Sequence, residues 1–371
     1  MQDPTTLFSL EPAGRDLLAV GFDGATALRG LGMLAVFGGH TDAGHLSEQV
    51  RDTLLDSLDH RLLASFDADQ LIDYRSRRPQ ISFDGDHFLD YQAPQLQLHL
   101  VSDALGRPFL LLSGPEPDYQ WERFVASVQF LVEKLDVKLV ALVDAVPMPV
   151  PHTRPLGVTA HGNREDLSAG LSTWSPQARM VSGISQLLEL RLDEQRRGVS
   201  GYTLHVPHYL ADAAYPQAAV AALEYVGAAL GLMLPTDELR ERGREVDQEL
   251  DRQTGSSREV TAMVEGLERN FDQNSPGAGR SLLVGPDEEV PDAEELGAAV
   301  EEYLQSQPKH SAHPADDGVD DPSAEHAEHT VREAGPLDGN ETVPDDLSGL
   351  SDDPRDPDNP DNADESDDGG R

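Results

Sequence analysis

The chain of 371 residues carries 68 acidic and 28 basic side chains, giving a formal net charge of -40, and it contains no cysteine. So acidic a chain is a poor partner for nucleic acid, because phosphate binding needs a basic surface, and the lack of cysteine excludes disulfides, thiolate catalysis and cysteine-based zinc sites. The first residues lack a basic segment followed by an apolar core, so we expect no signal peptide, and no apolar run approaches the roughly 20 residues of a membrane helix. We therefore expect a cytoplasmic protein without membrane contact.

The last part of the chain differs in composition from the rest. Residues 311–371 hold 20 acidic and 3 basic side chains and few apolar ones. Because such a segment cannot offset the entropy lost on ordering, we predict a disordered acidic tail over 306–371. Before it we predict an α/β core domain over 1–234, a helical hairpin over 235–272, and a linker with a short helix over 273–305.

Apolar runs between polar segments predict the strands of the core. They indicate buried strands at 16–22, 62–66, 96–101, 108–112, 137–143 and 202–206. Residues 25–37 are rich in Ala, Leu and Gly, and we interpret them as a helix packed closely on the sheet. Asp84-Gly85 between short alternating runs predicts a β-hairpin within 73–90. The basic residues of that segment, Arg75, Arg77 and Arg78, favour salt bridges within an acidic protein over a binding role.

A strand–helix–strand unit occupies the middle of the chain. Apolar residues recur at three- and four-residue spacing from Trp121 to Leu135, which predicts an amphipathic helix, and Asp118 is its predicted N-cap. The strands on either side should therefore be parallel. Residues 144–163 contain four prolines and no helical period, which indicates a long loop. Further helices are predicted at 181–197 and 216–230, and Thr236 and Ser256 begin the two helices of the hairpin.

Polar residues follow four of the predicted strands. Because the carboxyl ends of parallel strands meet at one edge of a sheet, where α/β proteins bind ligands, we expect these residues to lie close together. The candidates for ligand or partner binding are Asp23, Glu116, Asp118, Tyr119, Trp121, His152, Thr153, Arg154, His208 and Tyr209.

The chemistry of these candidates leaves two interpretations open. A carboxylate with a histidine can perform general acid–base catalysis, and Arg154 could bind an anion. Equally, Asp118 is explained as a helix cap, and His152 and Arg154 could brace a proline-rich loop. The sequence shows no metal-ligand spacing, no nucleophile motif and no phosphate-binding loop. We therefore expect no metal and no cofactor, and we assign no catalytic residue.

Four motifs in fixed order carry a family resemblance. They are GFDG at 21–24, GPEPDYQWERF at 114–124, VPHTRP at 150–155 and VPHYL at 206–210, with the paired helices after them. Over about residues 14–272 the chain resembles the bacterial, actinobacterial-type branch of the proteasome assembly chaperone two family. The resemblance implies a three-layer α/β core similar to purine nucleoside phosphorylases, a helical addition and oligomerisation. Eukaryotic and archaeal relatives bind proteasome α-subunits and help to assemble the ring.

Two functions follow from these observations. The first is a non-enzymatic interaction protein, a homo-oligomer that binds proteasome-type subunits or a related complex. The alternative is a small-molecule-binding protein or an enzyme of phosphorylase or hydrolase type that uses the loops at the carboxyl edge. A deep pocket holding Glu116, His152, Arg154 and His208 together would distinguish the second function from the first.

Overall fold

The computed structural model describes residues 3–19, 30–172 and 179–274. The strands of these residues are β1 (Phe8–Leu10), β2 (Gly32–Gly38), β3 (His60–Phe66), β4 (Ser82–Asp84), β5 (His87–Leu89), β6 (Gln97–Ser102), β7 (Pro108–Pro115), β8 (Leu139–Met148), β9 (Gly157–Gly162) and β10 (Gly198–Pro207). The helices are α1 (Pro12–Ala19), α2 (Leu46–Ser57), α3 (Ala68–Leu71), α4 (Trp121–Lys134), α5 (Glu165–Ser168), α6 (Ile184–Glu194), α7 (Pro216–Leu230), α8 (Asp237–Ser256) and α9 (Arg258–Asn274).

Eight of these strands form one mixed sheet in the order β1-β3-β6-β7-β2-β8-β10-β9. The four central strands β7, β2, β8 and β10 are parallel to one another, and the outer strands pair antiparallel. Central parallel strands are covered on both faces, which is why their sequences are continuous apolar runs. The predicted parallel relation of 108–112 and 137–143 is confirmed, with β2 lying between them.

Helices cover both faces of the sheet. Along β8, Val140 and Leu142 belong to the core that packs against α4 and α6, whereas Ala141 and Val143 belong to the core that packs against α2 and α7. Alternate residues of a strand point to opposite faces, so a single apolar run supplies both cores. The result is three layers, helices on either side of a sheet, as the predicted α/β class requires.

Two predictions near the start of the chain were wrong. Residues 12–19 form α1, where a strand was predicted from 16, and residues 32–38 form β2, where a helix was predicted. The remaining parts of those predictions, 20–22 and 25–29, lie outside the described residues. A short apolar run suits a buried strand and a buried helix equally well. Here the backbone pairing of β2 with both β7 and β8 determines the strand.

The predicted loop over 144–163 is correct only for its middle. The strand β8 continues to Met148, and β9 forms an antiparallel edge strand on β10. Pairing of β8 with β2 ends at Val143, so the later residues of β8 have a strand neighbour only on the β10 side. A proline such as Pro147 is tolerated there, since it lacks an N–H group to donate to a second neighbour.

The predicted hairpins are both present. Residues 82–89 form the two-stranded sheet β4–β5. The helices α8 and α9 form the helical hairpin. The turn between them is at Ser257, whereas the sequence predicted it at Gly255. Helix α8 packs on α7 through the buried Leu239, and the Gln217 side chain donates a hydrogen bond of 3.1 Å to the Gly243 carbonyl. The predicted helix within 273–305 and the acidic tail lie beyond Asn274, outside the described residues.

Candidate functional site

The four central strands all end at the same edge of the sheet. Three of the loops that follow them, 116–120, 149–156 and 208–215, are the predicted ones. The fourth predicted segment, which contains Asp23, lies outside the described residues. The fourth loop of this edge instead follows β2 at 39–45. The convergence that was predicted from strand direction is therefore present, except that the fourth loop follows β2 and not the strand predicted at 16–22.

Glu116 joins three segments of this edge. Its carboxylate accepts a hydrogen bond of 2.7 Å from the Ile184 backbone N–H at the start of α6 and one of 3.2 Å from the His40 N–H. Its own carbonyl accepts a bond of 2.5 Å from Arg77. A β-carbon at Gly39 would lie 2.2 Å from the Glu116 carboxylate, so this close approach requires glycine. A carboxylate at a helix N-terminus also interacts favourably with the helix dipole.

Asp118 is not the N-cap of α4, contrary to the prediction. The N-cap is Gln120, which has left-handed backbone geometry and makes no side-chain cap bond. The Asp118 carboxylate instead forms an ion pair of 2.5 Å with Arg77 and accepts a bond of 2.6 Å from the Asp73 N–H. It therefore fastens the 73–78 segment to the loop after β7. The salt-bridge interpretation of the basic cluster is confirmed for Arg77.

The two aromatic residues of this loop have different surroundings. Tyr119 is half exposed at the surface. Its interaction with Asp73 raises the pKa of the phenol. Trp121 is partly buried against the core, and its indole N–H donates a bond of 2.5 Å to the Pro117 carbonyl. Trp121 therefore closes the turn that precedes α4.

The loops after β8 and β10 meet at His152 and Tyr209. The Tyr209 hydroxyl accepts a bond of 2.9 Å from the His152 backbone N–H and lies 2.7 Å from the Nδ1 atom of the same residue. Burial raises the pKa of Tyr209. His208 is exposed and packs edge-on against the Tyr209 ring. These contacts hold the two loops together.

Arg154 and Thr153 bind the last helix. The Arg154 guanidinium donates two bonds of 2.8 Å to Asp272 and one of 3.1 Å to Glu268. The Thr153 hydroxyl donates a bond of 2.5 Å to the same Glu268 carboxylate. Arg154 thus already binds two carboxylates of its own chain, where the sequence had suggested a bound anion.

The structure does not bring Glu116, His152, Arg154 and His208 into one pocket. A cavity of about 430 Å³ opens instead between the sheet and α6, on the face that carries Asp144. Its lining residues are His40, Thr41, Val146, Met148, Thr159, His161, Met180, Val181, Gln186, Glu189, Thr203 and His205. None of the predicted candidates among the described residues lines this cavity.

Three side chains along the polar wall of the cavity are hydrogen-bonded in series. The His161 Nδ1 atom lies 2.6 Å from a carboxylate oxygen of Glu189, and its Nε2 atom lies 3.0 Å from the Thr203 hydroxyl. Burial acts against the charged imidazole, but the hydrogen bond and charge of Glu189, with the charge of Asp144, raise the pKa of His161 overall. The Glu189 carboxylate thus favours the protonated form of the His161 ring.

Two further titratable groups adjoin this wall. Burial raises the pKa of Asp144 to about 6, although its carboxylate accepts a bond of 2.7 Å from the Thr41 hydroxyl and one of 3.3 Å from the Gln186 amide. Burial lowers the pKa of His205 to about 4, so its ring is neutral at physiological pH. The His205 Nε2 atom lies 2.9 Å from the Thr159 hydroxyl.

Sequence reasoning missed these residues because they lie within strands rather than in loops. Thr159 and His161 alternate along β9, and Thr203 and His205 alternate along β10. Polar residues at a spacing of two, in strands that otherwise read as apolar, indicate one polar patch on a sheet face. That pattern is visible in the sequence and could have identified the patch.

The described residues give little support to a metal site or a membrane span. They contain no group of three or more His, Cys, Asp or Glu side chains placed to hold a metal ion. None of their helices combines the length and apolar character that a membrane crossing needs.

Fold and site together define a three-layer α/β protein with a ligand-sized cavity at the carboxyl edge of its sheet. The chain belongs to the PAC2 family, whose model matches residues 36–254. This confirms the family resemblance, and three of the four motifs lie within the matched residues, whereas GFDG at 21–24 precedes them.

Solved structures of related proteins support the same assignment. A Corynebacterium glutamicum protein of unknown function is 38% identical, with a TM-score of 0.68, over 74% of this chain and 99% of that one. A Mycobacterium tuberculosis protein of unknown function is 40% identical, with a TM-score of 0.65, over 72% and 91%. A proteasome-assembly chaperone homologue from M. tuberculosis shares the fold at 22% identity and a TM-score of 0.58, over 63% and 100%. No curated protein matches the chain.

Proposed function

We propose that this protein is a non-enzymatic interaction protein, which acts as a homo-oligomer and assists the assembly of a proteasome-type complex. Membership of the PAC2 family supports a chaperone-like role. The contacts of the residues that were predicted from the sequence support a non-enzymatic role too. Glu116, Asp118 and Arg154 each bind another segment of the chain instead of facing a common cavity.

The exposed apolar surface of the β4–β5 hairpin is the observation that supports protein contacts, and with them the homo-oligomer. Phe83 and Phe88 pair across its strands with ring centroids 5.0 Å apart, yet their exposed fractions are 62% and 67%. Ile81 and Tyr91 beside them are also about half exposed. Neighbouring large apolar side chains in such numbers indicate a surface for protein contacts, since single exposed apolar residues are common but clusters are not.

A second copy of the chain is the partner that best fits this hairpin. A two-stranded hairpin is marginally stable in water by itself, and its outer edges leave backbone groups free for pairing. A hairpin with these exposed groups is more stable when the surface of a partner covers it permanently. The partner that is always present is another copy of the same protein, and most soluble homo-oligomers bury such surfaces in closed symmetry.

Light scattering after size-exclusion chromatography tests the oligomer. The double variant Phe83→Ser, Phe88→Ser should shift the protein to a smaller assembly with its circular dichroism unchanged. The control is Leu105→Ser, because Leu105 is 63% exposed in a turn outside the hairpin. An assembly unaffected by the double variant, or a wild-type monomer, would contradict the role of the hairpin.

Cross-linking in the native cell tests the proteasome-type partner. The tagged chain should recover α-type proteasome subunits that are not yet in complete particles, and its deletion should raise the fraction of free subunits. Recovery of no proteasome subunit, with unchanged assembly in the deletion strain, would refute this part of the proposal even if the protein is a homo-oligomer.

A further inference from the structure

The cavity beside α6 has the size and the mixed apolar and polar lining of a small-molecule site. Its volume of about 430 Å³ falls within the roughly 300–1,000 Å³ that ligand pockets occupy. The lining includes the apolar side chains of Val146, Met148 and Val181 together with hydroxyl, imidazole, amide and carboxylate groups. Apolar walls with a few convergent polar groups are the usual composition of such sites.

The polar side is built in advance. His161 is fixed between Glu189 at 2.6 Å and Thr203 at 3.0 Å. Residue 201 on β10 is a glycine, and a β-carbon there would lie 2.1 Å from the His161 ring. Gln186 is held by the bond between its side-chain oxygen and the Gly183 N–H at 2.8 Å. A ligand would meet ordered groups, so little entropy would be lost in arranging them.

The charges around the cavity favour an uncharged ligand. No Lys or Arg is among the described residues that line it. Glu189 compensates the charge of His161 when that ring is protonated, His205 is neutral, and Asp144 is not among the described residues that line the cavity. An anion would lose its hydration without meeting a lysine or an arginine, and a cation would compete with His161 for Glu189.

We propose that this cavity binds an uncharged small molecule with an apolar body and a hydroxyl or amide end. The polar end would face Thr203, Glu189 and Gln186, where donors and acceptors are both present. The apolar body would lie against Val146 and Met148. This site goes beyond the proposed interaction function and does not depend on the hairpin.

Three probes with one ring and different charges test the ligand class. Benzamide, benzoate and benzylamine are titrated into the full chain at neutral pH and followed by saturation-transfer NMR. Benzamide should bind, and benzoate and benzylamine should bind at least about tenfold more weakly, a difference of 1.4 kcal/mol. Equal or tighter binding of either charged probe, or no binding of benzamide, would overturn the proposal.

Substitutions then locate the bound benzamide. Thr203→Val keeps the shape of the side chain but removes its hydroxyl, and it should weaken benzamide about threefold to tenfold, as expected for one hydrogen bond. Val146→Phe should abolish binding by filling the cavity. The matched control is Thr53→Val, because Thr53 is a buried threonine on α2, in the other helical layer. Circular dichroism shows whether each variant folds, and unchanged affinity in both folded cavity variants would place benzamide elsewhere and refute the site.

Discussion

Gly201 lies directly opposite His161 on the neighbouring antiparallel strand, and a β-carbon at position 201 would come within 2.1 Å of the His161 Cε1 atom. It would also lie 2.8 Å from the Glu189 carboxylate. We therefore expect Gly201→Ala to separate His161 from Glu189 and to lower the free energy of unfolding by about 1–3 kcal/mol, as overpacking does. The pKa of His161 should fall, because burial then acts without the carboxylate. NMR titration of the His161 ring and urea unfolding measure both effects.

Gly255→Ala is the matched control for that substitution. No side chain or more distant backbone lies within 4 Å of the β-carbon that it adds. Because alanine is the better helix former, the variant should be as stable as the wild type or up to about 1 kcal/mol more stable. An unaltered pKa of His161 in Gly201→Ala would contradict the steric argument.

Glu116→Gln should loosen the junction between β7, α6 and the loop after β2. The amide nitrogen of glutamine would face one of two backbone N–H donors, His40 and Ile184, and leave it without an acceptor. We expect a loss of about 1–3 kcal/mol in the free energy of unfolding.

Glu122→Gln is the control, since Glu122 pairs with Arg191 on the exposed surface and such pairs contribute about 0–1 kcal/mol. Urea unfolding compares the two variants. A Glu116→Gln protein as stable as the control would show that the carboxylate is not structural and would restore it as a binding candidate.

Asp144 should make stability fall as pH rises through the acidic range. Its folded pKa of about 6 is above the ordinary 3.8, so between these values the folded state holds a proton that the unfolded state has lost. Asp144→Asn removes this effect. The stability of the variant relative to the wild type should therefore increase by about 2 kcal/mol from pH 4 to pH 7, which urea unfolding over a pH series measures. A constant difference between the two proteins would contradict the raised pKa.

Asp103→Asn should show the opposite dependence on pH. Burial acts to raise the pKa of Asp103, but hydrogen bonds from the N–H groups of Met233, Arg107 and Leu105 and from the Arg107 side chain lower it overall. The stabilisation is therefore present above the ordinary pKa and lost as pH falls through the lowered one. We expect the variant to be about 1–3 kcal/mol less stable than the wild type at neutral pH, with the gap closing in acid. The same urea series checks this, and a gap that widens in acid would refute it.

The apolar pattern of the sequence predicts most of the core because the fold uses it directly. The helix at 216–230 is confirmed with the predicted bounds, and its Pro216 lies at the first turn. The pattern fails at 32–38, since buried strands and buried helices have the same apolar composition and only pairing separates them. Asp118 was misassigned for a related reason: its partner Arg77 is 41 residues away in the chain, and no local rule identifies it.

The spacing of the polar residues indicates the polar patch from the sequence, but the cavity that the patch lines could not be predicted, for a topological reason. Its polar wall depends on the antiparallel register that places Thr203 opposite Thr159. Residues 144–163 read as a loop because of their prolines, so no strand was predicted there to pair with β10. Strand direction does predict which loops converge, but loop residues that converge also bind one another. Here Arg154 binds Asp272 on α9, a residue that lies 118 positions later in the chain.

Arg154 should control how firmly α9 is attached to the core. It joins the loop after β8 to Asp272 and Glu268, and these bonds lower the pKa of Asp272. Arg154→Gln should therefore accelerate amide hydrogen exchange over 258–272 and expose α9 to proteases, while the sheet keeps its protection. The control is Arg252→Gln, whose ion pair with Glu249 lies within α8. In the wild type the attachment should weaken as pH falls through the lowered pKa of Asp272, because the protonated carboxyl loses its charge. Equal exchange of α9 in Arg154→Gln and in the wild type would show that packing on α8, rather than this ion pair, holds the helix.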